Sequence, residues 1–303
     1  MRSGSTLLHR MLSRVPGFVS VGEVVHLWER GVAGNELCGC GAPFHDCPFW
    51  TEVGTRAFGG WDRLDPLEVR GLQRTVDRTR YIPLLLAGRS RARGYGRTLD
   101  RYADVLSLLF SAIRAVSGAD VIVDSSKHAS TAFVLRRVPA VRLHVVHLVR
   151  DSHGVAFSLT RQVARPEVTT APTYMPTTTP FRSGLEWLIV NGLFHALRAT
   201  GVSTTFLKYE SLVRNPEAEI ERIVGALGKR ANVPTDTVVR NGVVEFAPDH
   251  TVSGNPMRFA VGEVALHPDD TWQRSMPRGD RIVTTAVTWP LLARYGYPLV
   301  SRR

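Results

Sequence analysis

Apolar and polar positions follow two different periods along the chain. Spacings of three and four residues place Leu7, Leu8, Met11, Leu12 and Val15 on one stripe, which predicts an amphipathic helix over residues 6–15. Similar stripes predict helices over 98–116, 154–162, 183–199 and 216–227. Short apolar runs predict buried strands over 121–123, 144–149 and 204–209. Strands separated by helices favour a three-layer α/β fold with a mostly parallel central sheet between helices.

The organisation that we expect is a single domain over 1–303. It carries a helical and loop insertion at about 35–117 and a long loop at about 164–180. Four prolines and several threonines preclude a helix in that loop, and loops of this length are usually lids or binding segments. A second irregular stretch, 88–97, interleaves arginine with glycine.

Composition narrows the possible partners without choosing among them. The chain has 303 residues, 44% of them hydrophobic, and its 38 basic and 27 acidic side chains give a net charge of +11. This excess favours an anionic partner, such as nucleic acid, a membrane surface or a phosphorylated cofactor. The chain contains no apolar run long enough for a membrane span and no signal-peptide pattern, so we predict a cytoplasmic location.

The N-terminal segment Arg2-Ser3-Gly4-Ser5-Thr6 runs directly into the first predicted helix. Small residues at a helix start let backbone amides approach an anion, and Arg2, Ser5 and Thr6 can add side-chain donors. Ordinary helix capping by Ser or Thr explains the pattern equally well. The lysine of a nucleoside-triphosphatase loop is absent, which disfavours ordinary ATP or GTP hydrolysis.

Two further segments place donors after predicted strands. Arg150 ends the strand 144–149 and Ser158 follows in the next helix, a pair that suits a phosphate. The plainer interpretation is an Arg150–Asp151 pair with a solvent-facing serine. The segment Asp124-Ser125-Ser126-Lys127 follows another strand and carries one of only three lysines in the chain.

Taken in order, these segments resemble one enzyme family. R-S-G-S-T-L-L, the pair Gly22-Glu23, D-S-S-K, V-R-D with its later serine, and Y-E-S-L before Asn215-Pro216 together are similar to sulfotransferases that use 3′-phosphoadenosine 5′-phosphosulfate (PAPS). The resemblance is closer to the bacterial and tyrosylprotein-sulfotransferase-like branch, which has arginine in the first loop and a glutamate base. It implies a P-loop NTPase-like fold and transfer of a sulfuryl group from PAPS to a hydroxyl acceptor.

The resemblance also implies residue roles. Arg2, Ser3, Gly4, Ser5 and Thr6 would hold the 5′-phosphosulfate, whereas Arg150 and Ser158 would hold the 3′-phosphate. Tyr209 would lie near the nucleotide, and Asn255 and Arg258 would close over it.

Catalysis would fall to three of the matched residues. Glu23 would be the base for an in-line displacement, with a raised pKa if it is buried, and Lys127, assisted by Arg2, would neutralise the leaving oxygen. His26 is the alternative base. No divalent metal is required by this chemistry.

Two features depart from the family pattern. A buried strand normally precedes the first loop, and here Met1 stands directly before Arg2, so we expect that this strand is missing from the chain and that an upstream extension supplies it. Cys38, Cys40, His45 and Cys47 could bind zinc, although their spacing is not that of a typical finger and an apolar knot around Phe44, Phe49 and Trp50 fits as well.

Two other functions compete with sulfuryl transfer. A P-loop phosphotransferase would share the fold but should show carboxylates placed for magnesium, and only Asp124 is a candidate. A basic nucleic-acid-binding protein would explain the charge but would not need Glu23, Lys127 and Arg150 at sheet edges. We therefore expect a small-molecule, glycan or peptide hydroxyl acceptor rather than nucleic acid.

Overall fold

A computed structural model describes residues 2–87, 93–168, 172–229, 238–240 and 242–299. The helices are α1 (Ser5–Leu12), α2 (Pro48–Phe58), α3 (Pro66–Val76), α4 (Ile82–Ala87), α5 (Arg93–Ser117), α6 (Ala129–Leu135), α7 (Ser152–Thr160), α8 (Pro180–Ala199), α9 (Tyr209–Arg214), α10 (Pro216–Ala226), α11 (Thr271–Ser275) and α12 (Arg278–Arg294). The strands are β1 (Phe18–Gly22), β2 (Val121–Asp124), β3 (His144–Val149), β4 (Ser203–Lys208), β5 (Val243–Phe246) and β6 (Gly262–Ala265).

Parallel strand pairs flanked by helices form the centre of the fold, as the alternation of strands and helices predicts. β1 pairs with β2 in parallel, with Phe18 opposite Val121. β3 pairs with β4 in parallel from His144 opposite Ser203 to Val149 opposite Lys208. β5 and β6 form a separate antiparallel pair. In the described ranges the two parallel pairs are not hydrogen-bonded to each other. The strand expected before α1 stays a prediction.

The two parallel pairs share a hydrophobic core through α1. Leu7, Leu8 and Met11 on the buried face of this helix belong to one cluster, against which Val123 of β2 and Val146 of β3 pack. Because α1 covers both pairs, its first turn lies near the carboxyl ends of β2 and β3, where ligands bind in open α/β sheets. A second and larger core holds the helices between residues 48 and 117 against β1, α6 and β3.

The strongly periodic helices agree with the sequence analysis to within a few residues, and the strand predicted over 144–149 is confirmed at both ends. The prediction of an irregular stretch over 88–97 is wrong from residue 93 onward, because Arg93–Ser117 is helical. Residues 88–92 lie outside the described residues. The described parts of the loop 164–180 form an isolated bridge between Ala164 and Tyr174 before α8 begins at Pro180.

The turn after β3 shows how local sequence places a site residue. Asp151 is the N-cap of α7, and its carboxylate accepts a hydrogen bond from the amide of His153. This cap turns the chain sharply and leaves Arg150 at the junction of strand and helix.

Among the described residues, no helix combines the length and the apolar character that a membrane crossing needs. The cytoplasmic location and the single-domain organisation stay predictions.

Candidate functional site

A cavity of about 1430 Å³ opens where the loops after β1, β2 and β3 meet the start of α1. Most of the residues that the sequence analysis selects line it together: Arg2, Gly4, Ser5, Thr6, Glu23, Lys127, Arg150, Ser158, Tyr209 and Asn255. Two do not: Ser3 and Arg258 are absent from its lining. Residues as far apart in the chain as Arg2 and Asn255 are thus brought to one surface.

Gly4 shapes the end of this cavity at the start of α1. It is the N-cap of α1 and has φ +87°, a conformation that residues with a Cβ rarely adopt. A Cβ on Gly4 would lie 2.4 Å from Cδ2 of Tyr209, so the aromatic ring packs directly on the backbone of the loop. Tyr209 is therefore placed at the loop, and its position near a nucleotide stays a prediction.

Arg150 connects the end of β3 to the N-terminal loop. Its Nη1 donates a hydrogen bond to the carbonyl oxygen of Arg2 over 3.1 Å, and its guanidinium lies 4.8 Å from the centre of the Tyr209 ring. Its Nη2 donates to the Asp269 carboxylate over 2.8 Å. Arg150 is thus held in place by the same loop and ring that border the cavity.

The Arg2 guanidinium has an unpaired donor at this end. Its Nη2 is buried and has no hydrogen-bond partner in the protein, and burial lowers the pKa of Arg2. Leaving a buried donor unpaired costs free energy, which an anion in the cavity would recover. Arg2, the first-turn amides of α1 and Arg150 therefore form a donor set suited to phosphate or sulfate oxygens.

Glu23 and Lys127 form an ion pair beside these donors. Lys127 Nζ donates a hydrogen bond to Glu23 Oε1, and both side chains are largely buried. Burial by itself raises the pKa of Glu23, but Lys127, through its charge and its hydrogen bond, and His26 outweigh burial and lower the pKa to about 2. The expectation of a raised pKa for Glu23 is therefore wrong, because burial comes with a cationic partner.

His26 lies on the other side of the same carboxylate. Its Nε2 is 3.6 Å from Glu23 Oε2. Burial, followed by the nearby charge of Arg30, lowers the pKa of His26 to about 4, so the imidazole is neutral at pH 7. A neutral imidazole can accept a proton, which keeps His26 available as the alternative base.

Asp124 ties the loop of Glu23 to the loop of Lys127. Its Oδ1 accepts hydrogen bonds from Ser126 N at 2.8 Å, Ser126 Oγ at 2.6 Å and Val24 N at 3.3 Å. Burial raises its pKa to about 6 despite these donors. The residue predicted as a possible magnesium ligand thus uses one oxygen to join two loops, and its Oδ2 is buried without a partner.

The segment expected to close over the nucleotide divides into two parts. Asn255 lines the cavity, and its Oδ1 caps the amide of Met257 over 3.0 Å. Arg258 is only 1% exposed, and it donates to the carbonyl oxygens of Thr251 and Leu37, at 2.7 Å each. The prediction of Arg258 as a nucleotide donor is therefore wrong, because its hydrogen bonds hold two chain segments together away from the cavity.

The far wall of the cavity carries charges that sequence reasoning missed. Six arginines line it: Arg30, Arg70, Arg74, Arg78, Arg80 and Arg182. Asp77, at the end of α3, is the buried carboxylate of this wall; Thr131 donates to its Oδ2, and its Oδ1 has no partner. Arg70 and Arg74 belong to α3, but the other arginines come from separate segments of the chain, and no local pattern signals that they border one cavity.

The cysteine cluster also differs from the expected set. Sγ of Cys38, Cys40 and Cys47 meets a ring nitrogen of His250, with all four atoms within 4.8 Å of one another. His45 is not among them, since its Nε2 is 3.0 Å from the carbonyl oxygen of Val32. The predicted set with His45 is wrong, because the fourth position comes from a residue 203 positions from Cys47.

Comparisons with known proteins identify the fold. No protein-family model and no curated protein matches the sequence. Among solved structures, the chain is similar to the sulfotransferase domain from the curacin biosynthetic pathway, with a TM-score of 0.53 at 15% identity over 99% of this chain and 95% of that one. A sulfotransferase domain from the Synechococcus PCC 7002 olefin synthase aligns with a TM-score of 0.47 at 20% identity over 99% of this chain and 92% of that one.

The likeness to the curacin domain extends over nearly the whole chain. The protein therefore has the α/β fold of sulfotransferase domains, a mixed structure in which parallel strand pairs lie between helices. Any argument about its activity has to come from the residues of the site and not from the fold.

Proposed function

We propose that the protein transfers a sulfuryl group from PAPS to a hydroxyl acceptor. The observation that carries the proposal is the Lys127–Glu23 ion pair beside the Gly4 loop, which places a cation and a carboxylate next to anion donors in one cavity. The likeness of the fold to a sulfotransferase domain supports this proposal, whereas the argument for the function itself comes from the residues of the site.

The donor nucleotide fits the residues present. Arg2 Nη2 is a buried donor without a partner, and Gly4, Ser5 and Thr6 at the start of α1 line the same cavity. In our proposal Arg2, Ser3, Gly4, Ser5 and Thr6 hold the 5′-phosphosulfate. Arg150 and Ser158 hold the 3′-phosphate, Tyr209 borders the nucleotide and Asn255 belongs to the segment that closes over it. PAPS supplies a sulfuryl group activated by its bond to phosphate.

The chemistry then follows from the ion pair. Glu23 accepts the proton of the acceptor hydroxyl, which it can do because its carboxylate is already ionised at neutral pH. Its low pKa in the free protein is due to Lys127. Once the ammonium interacts instead with negative charge that develops on the leaving oxygen, burial makes Glu23 a stronger base. Arg2 assists Lys127 in holding that charge, and no step calls for a metal ion.

The acceptor side of the cavity favours a particular class of hydroxyl compound. The arginines of the far wall outnumber its carboxylates Glu29, Asp77 and Glu186, and Glu29 is already paired with Arg70. We propose an acceptor that carries negative charge close to its hydroxyl group, whether it is a small metabolite, a glycan or a peptide.

Thermal unfolding with three ligands tests the proposed donor site. Adenosine 3′,5′-bisphosphate without magnesium should raise the Tm, since its two phosphates match the proposed subsites and binding to the folded state stabilises it. ATP with magnesium, the ligand of a phosphotransferase, and duplex DNA, the ligand of a nucleic-acid-binding protein, should raise it less. A larger shift with either of these would contradict the proposal.

Transfer itself is tested with sulfur-labelled PAPS and pooled cell extract. Labelled products that bind an anion exchanger more tightly than the sulfate esters of neutral alcohols would support an anionic acceptor. If every labelled product derives from an uncharged acceptor, the proposed acceptor class is refuted but the proposed donor site is not.

A further inference from the structure

Residues 37–43 form a tight turn that presents two thiols. The amide of Cys38 donates to the carbonyl of Ala42 over 2.8 Å, and the amide of Gly41 donates back to the carbonyl of Cys38 over 2.8 Å. Gly41 has φ +89°, a conformation that suits glycine and closes the turn. Cys38 and Cys40 therefore lie on one compact loop.

Two more side chains reach this turn from other parts of the fold. Cys47 immediately precedes α2, and His250 comes from the segment after β5. The His250 ring stacks on Phe49, with centroids 5.0 Å apart and planes 7° from parallel. The backbone carbonyl oxygen of His250 accepts a hydrogen bond from Trp50 Nε1. The imidazole is thus oriented by aromatic residues of α2.

Distances within the cluster match the edges of a metal tetrahedron. Zinc binds thiolate sulfur at about 2.3 Å and imidazole nitrogen at about 2.0 Å, which places tetrahedral ligand atoms about 3.8 Å (S to S) and about 3.5 Å (S to N) apart. Sγ of Cys40 and Sγ of Cys47 are 3.8 Å apart, and Sγ of Cys47 is 3.3 Å from Nδ1 of His250. A disulfide would bring two sulfurs to about 2.0 Å.

From this geometry we propose that Cys38, Cys40, Cys47 and His250 form a structural zinc site. Three sulfurs and one imidazole nitrogen are a donor set that zinc favours, and four protein ligands leave no open position for catalysis. On binding, each thiol loses its proton to solvent, and the neutral imidazole supplies its lone pair through Nδ1.

A buried arginine offsets the charge of the loaded site. Three thiolates and one Zn²⁺ carry a net charge of −1. Arg258 donates to the carbonyl oxygen of Leu37, next to Cys38, and is buried. Its Nε has no partner. A buried guanidinium beside a site of net negative charge is better stabilised than one beside three neutral thiols.

The site would fix the segment that borders the catalytic cavity. The amide of Gly39 donates to the carbonyl of Thr251 over 2.9 Å, and the carbonyl of Val252 accepts from the amide of Glu23 over 2.8 Å. A metal bound to His250 would therefore hold the backbone of residues 250–252. This segment positions Glu23 through the Val252 carbonyl and leads directly to Gly254 and Asn255. The zinc site does not depend on the proposed reaction, because it is defined by its own ligands.

Metal content of the full-length chain tests the proposal. Protein purified under reducing conditions from zinc-supplemented cells should contain about one zinc per chain by elemental mass spectrometry. His250→Gln and Cys40→Ser should lose most of it, and His45→Gln, the matched control for the neighbouring histidine, should retain it. Removal of zinc by a chelator should lower the Tm of the wild type and leave that of His250→Gln unchanged.

Cobalt gives a second measurement on the wild-type chain, so that the test does not depend on a variant that fails to fold. Replacement of zinc by Co²⁺ should produce sulfur-to-cobalt charge-transfer bands and the visible absorption of a tetrahedral centre. A wild-type chain without zinc, even after anaerobic reconstitution, would overturn the proposal. So would a Cys40–Cys47 disulfide in freshly purified protein, or zinc lost from His45→Gln but retained by His250→Gln.

Discussion

Lys127 donates a hydrogen bond to Glu23 across 104 positions of sequence, and both side chains are largely buried at the end of a parallel strand pair. The loops after β1 and β2 meet because the two strands run parallel, and after a register shift between Ser20 and Gly22 their ends still pair, with Gly22 opposite Asp124. An isolated buried carboxylate would be protonated near neutral pH, whereas the pair keeps Glu23 ionised. The pair thus keeps an ionised carboxylate and a cation side by side in the cavity.

Glu23→Gln should abolish transfer and leave nucleotide binding nearly unchanged. The amide keeps the shape of the side chain but cannot accept a proton, so kcat should fall by roughly 100-fold or more, while the Kd for adenosine 3′,5′-bisphosphate should change little. Steady-state kinetics and calorimetry measure the two quantities. Glu52→Gln, on the exposed surface of α2, is the control. Retained kcat would point to His26 as the base.

Arg150→Ala should weaken nucleotide binding itself. The change removes a guanidinium that can donate to a phosphate and that also holds the carbonyl of Arg2, so the Kd should rise by roughly 10- to 100-fold. Isothermal titration with adenosine 3′,5′-bisphosphate measures it. Arg161→Ala, just beyond the end of α7, removes an equal charge as the control. An equal loss of affinity in both variants would show that net charge, and not a subsite, binds the nucleotide.

Asp269→Asn should strengthen nucleotide binding. The Asp269 carboxylate accepts a hydrogen bond from Arg150 Nη2 at 2.8 Å and must give up that donor when a phosphate takes it. Because Asp269 is about half exposed, the competing ion pair is screened, and we expect only about a 2- to 5-fold lower Kd. The neighbouring Asp270→Asn removes the same charge without this contact. Weaker binding in Asp269→Asn alone would mean that the carboxylate positions Arg150 rather than competing for it.

The helices and parallel strands could be predicted from sequence where the apolar pattern is long or dense. The stripe from Leu7 to Leu12 defines α1, and the run His144–Val149 defines β3 at both ends. β1 was missed because Ser20 interrupts the apolar residues of Phe18–Gly22, whereas the shorter β2 begins with an unbroken apolar run. Packing between α1 and both strand pairs, which places the cavity, has no local signature.

The position of a residue in the cavity lining was predictable when its motif stands directly after a strand, as with Lys127 and Arg150. The position of Arg258 outside the cavity lining was not predictable, because its hydrogen bonds to the carbonyl oxygens of Leu37 and Thr251 depend on long-range packing. His250 was missed for the same reason: it meets Cys47 from 203 positions away, whereas His45 is the nearer histidine in sequence. The pKa of Glu23 depended on a contact with Lys127 that burial alone does not reveal.

Asp124 predicts a pH dependence of stability with a defined sign. Burial raises its pKa from 3.8 to about 6 in the folded state, so its contribution is fully present below pH 3.8 and is lost as pH rises through about 6. Asp124→Asn resembles the protonated acid and lacks this titration. Relative to the variant, the wild type should lose about 2 kcal/mol of unfolding free energy between pH 4 and pH 7.

Urea unfolding of the wild type and Asp124→Asn at several pH values measures that difference. Asp104→Asn, on the exposed face of α5, controls for removal of one negative charge. A difference between the wild type and Asp124→Asn that stays constant over this range would show that Asp124 is ionised throughout, with its hydrogen bonds from Ser126 outweighing burial.

Gly4→Ala should cost more stability than a left-handed glycine elsewhere in the chain. Gly118 has φ +66° and open space around its Cα, so Gly118→Ala should cost only the backbone strain of about 1 kcal/mol. Gly4 has φ +87° and would bring its Cβ to 2.4 Å from Cδ2 of Tyr209, which adds about 1–3 kcal/mol of overlap. Urea unfolding of the two variants separates strain from overlap. If both lose the same free energy, the Tyr209 ring can move aside, and the close packing of ring on loop does not constrain the anion site.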